Sequence, residues 1–217
     1  MGCQVSEELV EKWLRGWSLS RDLSLPARYR SGFRVDVGEE KQKIRYVFPE
    51  LNDDFIQLAE SVTEPWIYLK VCASPEQLKG LVPERWIVQP EGYMMNCRHP
   101  MIIPDHALPG NYSIEIQCIT PEYFIVRILC NNTEQAAIGR LIIVDHVAVY
   151  DRVVTEEKHQ RKGLATIVLA KLEGIALSKG VSNNFLVATQ QGKLLYESLG
   201  WKLCSSYSSI VIPDKEG

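Results

Sequence analysis

Apolar positions in this 217-residue chain recur with two periods. Behind Ser6, residues Leu9, Val10, Trp13, Leu14 and Trp17 share one helical face, which predicts a capped amphipathic helix over "EELVEKWLRGW". "SLPARYRSG" then reads as a loop. "FRVDVGEEKQKIRYVF" alternates Phe33, Val35, Val37 and later Ile44, Tyr46, Phe48 around a glycine-containing turn, the pattern of a hairpin. A short helix is expected over "NDDFIQLAESV" and a strand over "WIYLKVC". "SPEQLKGL" carries a capping box, Ser74 with Gln77, and Pro75 at the first helical position. "RWIVQPEGYMMNC" returns as a strand broken by a Pro-Glu-Gly turn. Residues 99–111, "HPMIIPDHALPGN", have three prolines and no period, so they divide residues 1–110 from 111–217. Four strands follow at 112–119, 123–130, 136–144 and 146–155, with hairpin turns at "TPE" and "NNTEQ" that make this part antiparallel. The order then changes to a helix over about 163–179, a strand at 185–188, a helix over about 190–199 and a terminal strand through "SSIVI". The class is α/β. Both halves have a strand–helix–strand order, without a convincing sequence repeat.

Composition narrows the function. A formal charge of −3, with 46% apolar and 24% charged residues, fits a globular protein and opposes a uniformly basic nucleic-acid binder. No apolar stretch approaches a membrane span; the longest, "LIIVDHVAVY", is broken by Asp145 and His146. No secretory signal opens the chain. Six cysteines without a C-x-x-C pair read as reduced core residues of a cytoplasmic protein. His99, His106, His146 and His159 show no metal-ligand spacing with each other or with cysteine, so no metal is expected. "MGCQVS" fits a myristoylation pattern, with Cys3 as a second acyl acceptor, but no polybasic cluster accompanies it, and it reads as a chance match.

One stretch carries chemistry. In "EEKHQRKGLATIVLAKLEGIAL", residues 156–177, a basic polar run meets Gly163 and becomes an apolar helix. Free N–H groups at a helix mouth, aided by the dipole, attract anions. Gly163 and Ala165 allow close approach, while Arg161 and Lys162 add charge. The bland alternative is a solvated turn before a helix. Neither a G-x-x-x-x-G-K-S/T loop nor a G-x-G-x-x-G loop is present.

Gln160-Arg161-Lys162-Gly163-Leu164-Ala165 resembles the Gln/Arg-x-x-Gly-x-Gly/Ala signature of the GNAT acyltransferase superfamily, preceded here by the strand Val153-Val154-Thr155. "LLYESLGW", residues 194–201, is similar to the family's aliphatic-Tyr-x-x-x-Gly-aromatic segment. The resemblance covers about residues 112–212 and is best over 147–201. It implies a mixed, mostly antiparallel sheet flanked by helices, with two splayed parallel central strands. It also implies acetyl-CoA as co-substrate. The edge of Val153, Val154 and Thr155 would pair with the pantetheine amides. The amides of residues 161–166, from Arg161 and Lys162 through Leu164 to Thr166, would hold the pyrophosphate beside Gln160. The amide of Val153 would face the thioester oxygen. Tyr196 would return a proton to the departing thiolate, as a phenol (pKa ~10) can for a thiol (~8.5).

The chain departs from the family in two places. Thr189 stands where the family usually has Asn, although threonine can still cap the last helix. The two helices usual between the first two strands are missing, because only "PE" separates them. Residues 1–110 are therefore read as a degenerate GNAT-like half that forms the acceptor wall. By alternation Asp151 shares a face with Val149 and Val153, which makes it a candidate base; the alternative is a surface carboxylate paired with Arg152 or a lysine. Glu156, Glu157 and His159 read as solvated. The expected activity is transfer of acetyl to a primary amine of a small molecule or protein. The alternative is a non-catalytic acyl-CoA-binding regulatory module. The resemblance is compatible with a homodimer and names no nucleic-acid or membrane partner.

Overall fold

The computed structural model describes residues 5–104 and 107–214. The acylation motif at residues 1–6 therefore lies mostly outside the described residues, as does His106. By compactness the chain divides into two units: residues 1–95, 187–196 and 202–217, and residues 96–186 and 197–201. No helix among the described residues is long and apolar enough to cross a membrane.

The first unit opens with α1 (Glu7–Leu19), whose N-terminus is closed by the Ser6 side chain and by Glu7 and Glu8. It buries Val10, Trp13, Leu14 and Trp17, the expected face. The stretch expected to be loop contains a three-residue strand, β1 (Ala27–Tyr29), paired with β2 (Gly32–Glu39). The hairpin of β2 and β3 (Gln42–Phe48) leads to α2 (Asp53–Ser61), capped by Asn52. β4 (Ile67–Val71) then lies parallel to β3 over five consecutive residue pairs, Ile44↔Ile67 to Phe48↔Val71. After the capping-box helix α3 (Pro75–Leu78) come β5 (Ile87–Val88) and β6 (Gly92–Cys97). One face of the β3–β4 pair packs Phe48, Leu69 and Val71 against Phe55, Leu58 and Ala59 of α2, an apolar core with every member nearly water-free.

The opposite face of this unit is less ordinary. Lys70 is partly buried, with Nζ donating to Ser209 Oγ at 2.8 Å and lying over the rings of Tyr68 and Tyr207. Arg45 stacks on Trp17 at 3.7 Å. Lys70 makes no ion pair among the described residues. Burial, with Arg45 adding to it, holds the Lys70 ammonium well below its ordinary pKa.

The second unit is an antiparallel run of β7 (Tyr112–Thr120), β8 (Tyr123–Cys130), β9 (Glu134–Val144) and β10 (Val147–Thr155). α4 (Leu164–Ser178) crosses over to β11 (Asn183–Ala188), which is parallel to β10. α5 (Gln190–Ser198) and β12 (Lys202–Val211) complete the chain. β12 pairs antiparallel with β4 and β5 in the first unit. The architecture is the expected α/β one: mostly antiparallel, flanked by helices, with parallel pairs at β3–β4 and β10–β11.

Thiol placement differs from expectation. Cys97 and Cys130 are buried free thiols, but Cys118 is exposed, because β7 is an edge strand that is exposed from Glu115 to Thr120. Cys204, half-buried near the start of β12, is disulfide-bonded, so the set is not uniformly reduced core.

α4 lies so close to β9 that a Cβ on Gly139 would sit 2.6 Å from Val168 Cγ1 and 2.9 Å from Leu172 Cδ1. Gly139→Ala should therefore cost about 1–3 kcal/mol by overpacking, measured by denaturant unfolding. Lys70→Met should raise the thermal midpoint. The folded pKa of Lys70 is depressed, so its cost is full below that value and disappears only above the unfolded value of ~10.4. The gain from Lys70→Met, on the order of 1 kcal/mol at neutral pH, should fade as pH approaches that value.

Candidate functional site

The site begins where one ladder stops. β10 and β11 are registered through Val147↔Asn183, Ala148↔Asn184 and Val149↔Phe185, and no further. β10 nevertheless continues against β9 to Thr155↔Ala137. Between Asp151 and Val154 it advances three residues while β9 advances two, from Arg140 to Ile138. That is a bulge with one extra residue, and Arg152 takes a left-handed φ of 49° within it. The bulge increases the local twist and turns β10 away from the direction of its parallel neighbour. Backbone groups on that edge beyond Val149 therefore have no registered strand.

The bulge also changes which residues share a face. The alternation that would align Asp151 with Val149 and Val153 does not run through it. Asp151 is half-buried and stands opposite Arg140 in the register. Val153 points towards Gly139 and α4, where its Cγ2 would be 3.4 Å from a Cβ at that glycine. Val154 is 49% exposed, an unusual position for a valine in mid-sheet. Thr155 has a buried Oγ1 without a hydrogen-bond partner.

A 3-10 turn over Glu157–His159 carries the chain to the helix mouth. Arg161 (φ 62°) and Gly163 (φ 72°) are both left-handed, one on each side of Lys162. For Arg161 this conformation is strained, whereas Gly163 adopts it without a Cβ penalty. Gly163 is the N-cap of α4, which has no side-chain cap and no acidic residue in its first turn. The first bond of α4 runs from Ile167 N to Gly163 O at 3.1 Å, so the helical amides before it have no intrahelical acceptor. In contrast, α1, α2 and α3 each begin with a capping side chain and acidic residues. α4 has a helix mouth that its own sequence does not close.

The basic run is anchored differently from its solvated reading. Lys162 Nζ donates to Tyr112 Oη at 2.9 Å, and that hydroxyl meets His159 Nδ1 at 2.9 Å. Since Lys162 can only donate, the Tyr112 hydroxyl donates to His159 Nδ1, leaving Nε2–H facing Glu134 Oε1 at 3.3 Å. Glu134 also pairs with Lys158, and the hydrogen bonds from Lys158 and His159 hold its carboxyl below the ordinary range. His159 is buried, which corrects the expectation that it is solvated: the Tyr112 ring packs edge-on against it. Gln160 Nε2 reaches back to Thr155 O at 3.3 Å. Leu164 and Thr166 are buried and Ala165 half-buried. Tyr112 and Glu134 could not be found from the motif, because they come from the β7 and β9 hairpins.

In the other unit, Thr189 Oγ1 accepts from Gly192 N at 3.1 Å, the capping role expected of it. Tyr196 is buried on α5, with its ring edge beside Gly192.

This strand–bulge–glycine–helix arrangement coincides with a match to the family model described as "Acetyltransferase (GNAT) family", over residues 96–201. Residues 96–201 are thus a GNAT acetyltransferase domain, an enzyme domain of the acyltransferase kind. The fold agrees over nearly the whole length. A GCN5-related N-acetyltransferase from Kribbella flavida matches with a TM-score of 0.67 at 12% identity, covering 98% of this chain and 97% of the other. One from Sphaerobacter thermophilus gives 0.58 at 10% identity, covering 85% and 78%. A tandem GNAT protein from the clavulanic acid biosynthesis pathway gives 0.55 at 11% identity, covering 97% of each chain. No curated protein matches by sequence.

The two glycines of this GNAT helix should respond oppositely to the same change. Gly163→Ala forces a left-handed alanine and should cost about 1–2 kcal/mol. Gly174→Ala, inside α4 with open space around the new methyl, should gain about 0.5–1 kcal/mol. Thermal unfolding of both variants without ligand tests the assignment of Gly163 as a conformational requirement.

Proposed function

We propose that the protein transfers an acetyl group from acetyl-CoA to a primary amine of a small molecule or protein. The observation that carries this reading is the early end of the β10–β11 ladder, followed at once by a helix mouth without a cap. An extended acyl-pantetheine has alternating amide donors and acceptors, and the unpaired edge of Val153, Val154 and Thr155 matches them as an added strand would. The amides of residues 161–166, at the positive end of α4, suit the pyrophosphate, with Arg161 as a supporting charge. The buried, unpartnered Thr155 Oγ1 lies along the same edge. Gln160 holds the turn by its bond to the Thr155 carbonyl, and Thr189 contributes by fixing the start of α5.

In the proposed reaction the amine lone pair attacks the thioester carbon. The Val153 amide stabilises the oxygen as it takes up charge. The C–N bond forms, the C–S bond breaks and the thiolate takes the hydroxyl proton of Tyr196. That role for Tyr196 rests on its motif, "LLYESLGW". Asp151 is the candidate acceptor of the proton that the incoming ammonium must lose.

Residues 1–110 support the reading of a degenerate half. β2, β3, α2, β4 and α3 have the same order and strand directions as β9, β10, α4, β11 and α5: an antiparallel pair, a crossover helix, a parallel strand and a helix. Two physical differences remove the CoA site from the first set. The β3–β4 ladder stays registered through five pairs, and the α2 mouth is closed by Asn52 with Asp53 and Asp54, which repel an anion. A fold likeness to a tandem GNAT protein over 97% of both chains supports the same reading. Free thiols at Cys72, Cys97, Cys118 and Cys130 favour the cytoplasm, with Cys204 as the exception.

Acetyl-CoA at millimolar concentration should raise the thermal midpoint and bind as a single equivalent per chain. An amine panel should then release free CoA. Tyr196→Phe should reduce kcat about 10²-fold or more while leaving the acetyl-CoA stabilisation intact. Asp151→Asn should remove the acidic limb of the pH–rate profile if Asp151 is the base; an unchanged profile assigns that proton to water. Stabilisation without CoA release from any amine would favour the non-catalytic binding module, and no stabilisation would remove the acyl-CoA reading.

A further inference from the structure

Outside the proposed acyl-CoA path, one group of side chains has the composition of a metal site. Cys130 Sγ, a Glu134 carboxylate oxygen and a His159 ring nitrogen all lie within 4.8 Å of one another, the one such group among the described residues. Its members come from separate places in the chain. Cys130 ends β8 and Glu134 begins β9, and the two are direct partners across the hairpin. His159 comes from the turn before α4. Sequence spacing conceals the group because the third member is 25 residues beyond the second.

Three further observations suggest ligands rather than chance neighbours. The distance from His159 Nε2 to Glu134 Oε1 is 3.3 Å, long for a charge-assisted hydrogen bond. It equals the edge of a tetrahedron with bonds of about 2.0–2.1 Å, the zinc–nitrogen and zinc–oxygen lengths. Two of the three ligands also have an outer partner of the right kind. Asn111 Nδ2 donates to Cys130 Sγ at 3.4 Å, as an amide does to a thiolate. Tyr112 Oη meets His159 Nδ1, the nitrogen that would remain outside the coordination sphere. Cys130 and His159 are buried, whereas Glu134 is partly exposed and leaves a direction open for entry.

We propose that Cys130, Glu134 and His159 bind a zinc ion, with solvent as the fourth ligand. Thiolate, imidazole and carboxylate in a compact set suit Zn2+ and do not suit Mg2+ or Ca2+, which require oxygen donors. Ligation takes the proton from the Cys130 thiol, because the thiolate is the ligand. His159 exchanges tautomer: Nε2 gives up its hydrogen to ligate, and Nδ1–H donates to Tyr112 Oη, which already accepts from Lys162. Lys158, with its side chain 69% exposed, withdraws from Glu134 into solvent. The ion would join the β8–β9 hairpin to the turn that presents Arg161 and Gly163, a structural role that needs no acyl-CoA.

The test uses the full chain, kept reduced by a phosphine and titrated with Co2+ as a spectroscopic substitute and then with Zn2+. The expected result is a thiolate-to-cobalt charge-transfer absorption with visible bands of a tetrahedral ion, saturating at one equivalent and displaced by Zn2+. Cys130→Ser should abolish the charge-transfer band, and Cys118→Ser, an exposed thiol on β7, should leave it unchanged. Glu134→Ala should weaken Zn2+ binding by about 10-fold or more. Absence of the charge-transfer band, or its survival in Cys130→Ser, overturns the proposal. If Cys130→Ser does not fold, the partly exposed Glu134 decides: unchanged Zn2+ affinity in Glu134→Ala overturns it as well. None of these readouts depends on acyl transfer.

Discussion

The parallel ladder between β10 and β11 ends after three residue pairs, and the features of the candidate site follow from that. A buried strand normally satisfies its backbone groups on both edges, because an unpaired amide or carbonyl away from water costs free energy. β10 departs from this by a single inserted residue. The bulge at Asp151–Val154 keeps the β9 edge in register while turning the other edge away. The strain is local: one left-handed arginine within the bulge and another after the turn. It persists because the surroundings fix it. Gly139 lets Val168, Leu172 and Val153 close over the bulge from the α4 side, so the strand has no slack in which to straighten.

The first unit shows the same order of elements with the opposite outcome, which separates topology from chemistry. β3 and β4 are parallel with a helix between them, as are β10 and β11. The extra residue of the β2–β3 hairpin falls on β2, between Asp36 and Glu39, and not on β3, so the β3–β4 ladder remains complete, and the helix that follows carries its own anions. Asn52, Asp53 and Asp54 satisfy the start of α2 from within the chain. Acidic residues in a first turn contribute typically 0.3–1 kcal/mol each by complementing the dipole. α4 forgoes that contribution, and nothing else in its first turn replaces it. A helix mouth left open beside an unpaired strand edge is stable on its own only because α4 is buried along almost its whole length, through Val168, Leu169, Leu172 and Ala176.

What the sequence showed and what it concealed divide along the same physical line. α4, β11 and α5 were legible because periodicity, Gly163 and Gly180 are local signals. β1 was not legible, since three residues in a Pro- and Arg-containing stretch have no period to detect. The alternation used to place Asp151 fails at the bulge, because one extra residue is invisible to a count by twos. His159 sits in a polar run that has every mark of solvent exposure, and it is buried by Tyr112, 47 residues earlier in the chain. Cys118 alternates with apolar neighbours as a core residue would, but those neighbours, Ile116 and Ile119, are themselves exposed on an edge strand. Period says which residues share a face; it does not say whether anything covers that face.

The basic run also means something different once its partners are known. Read as sequence, Lys158, His159, Arg161 and Lys162 sum to a cationic patch. In the fold, Lys158 is turned towards Glu134, and Lys162 bends back to the Tyr112 hydroxyl that also holds His159. Arg161 is left without a side-chain partner among the described residues. The run is mainly a device that fixes the loop, and only a small part of it is a source of charge. What remains for an anion is the backbone of residues 161–166, held in left-handed and helical conformations, plus one guanidinium. Backbone amides cannot swing away or be screened as a flexible lysine can, because their direction is set by the helix itself. The glycine at the helix mouth therefore matters more than the lysines and arginine around it: it permits the conformation in which the amides converge.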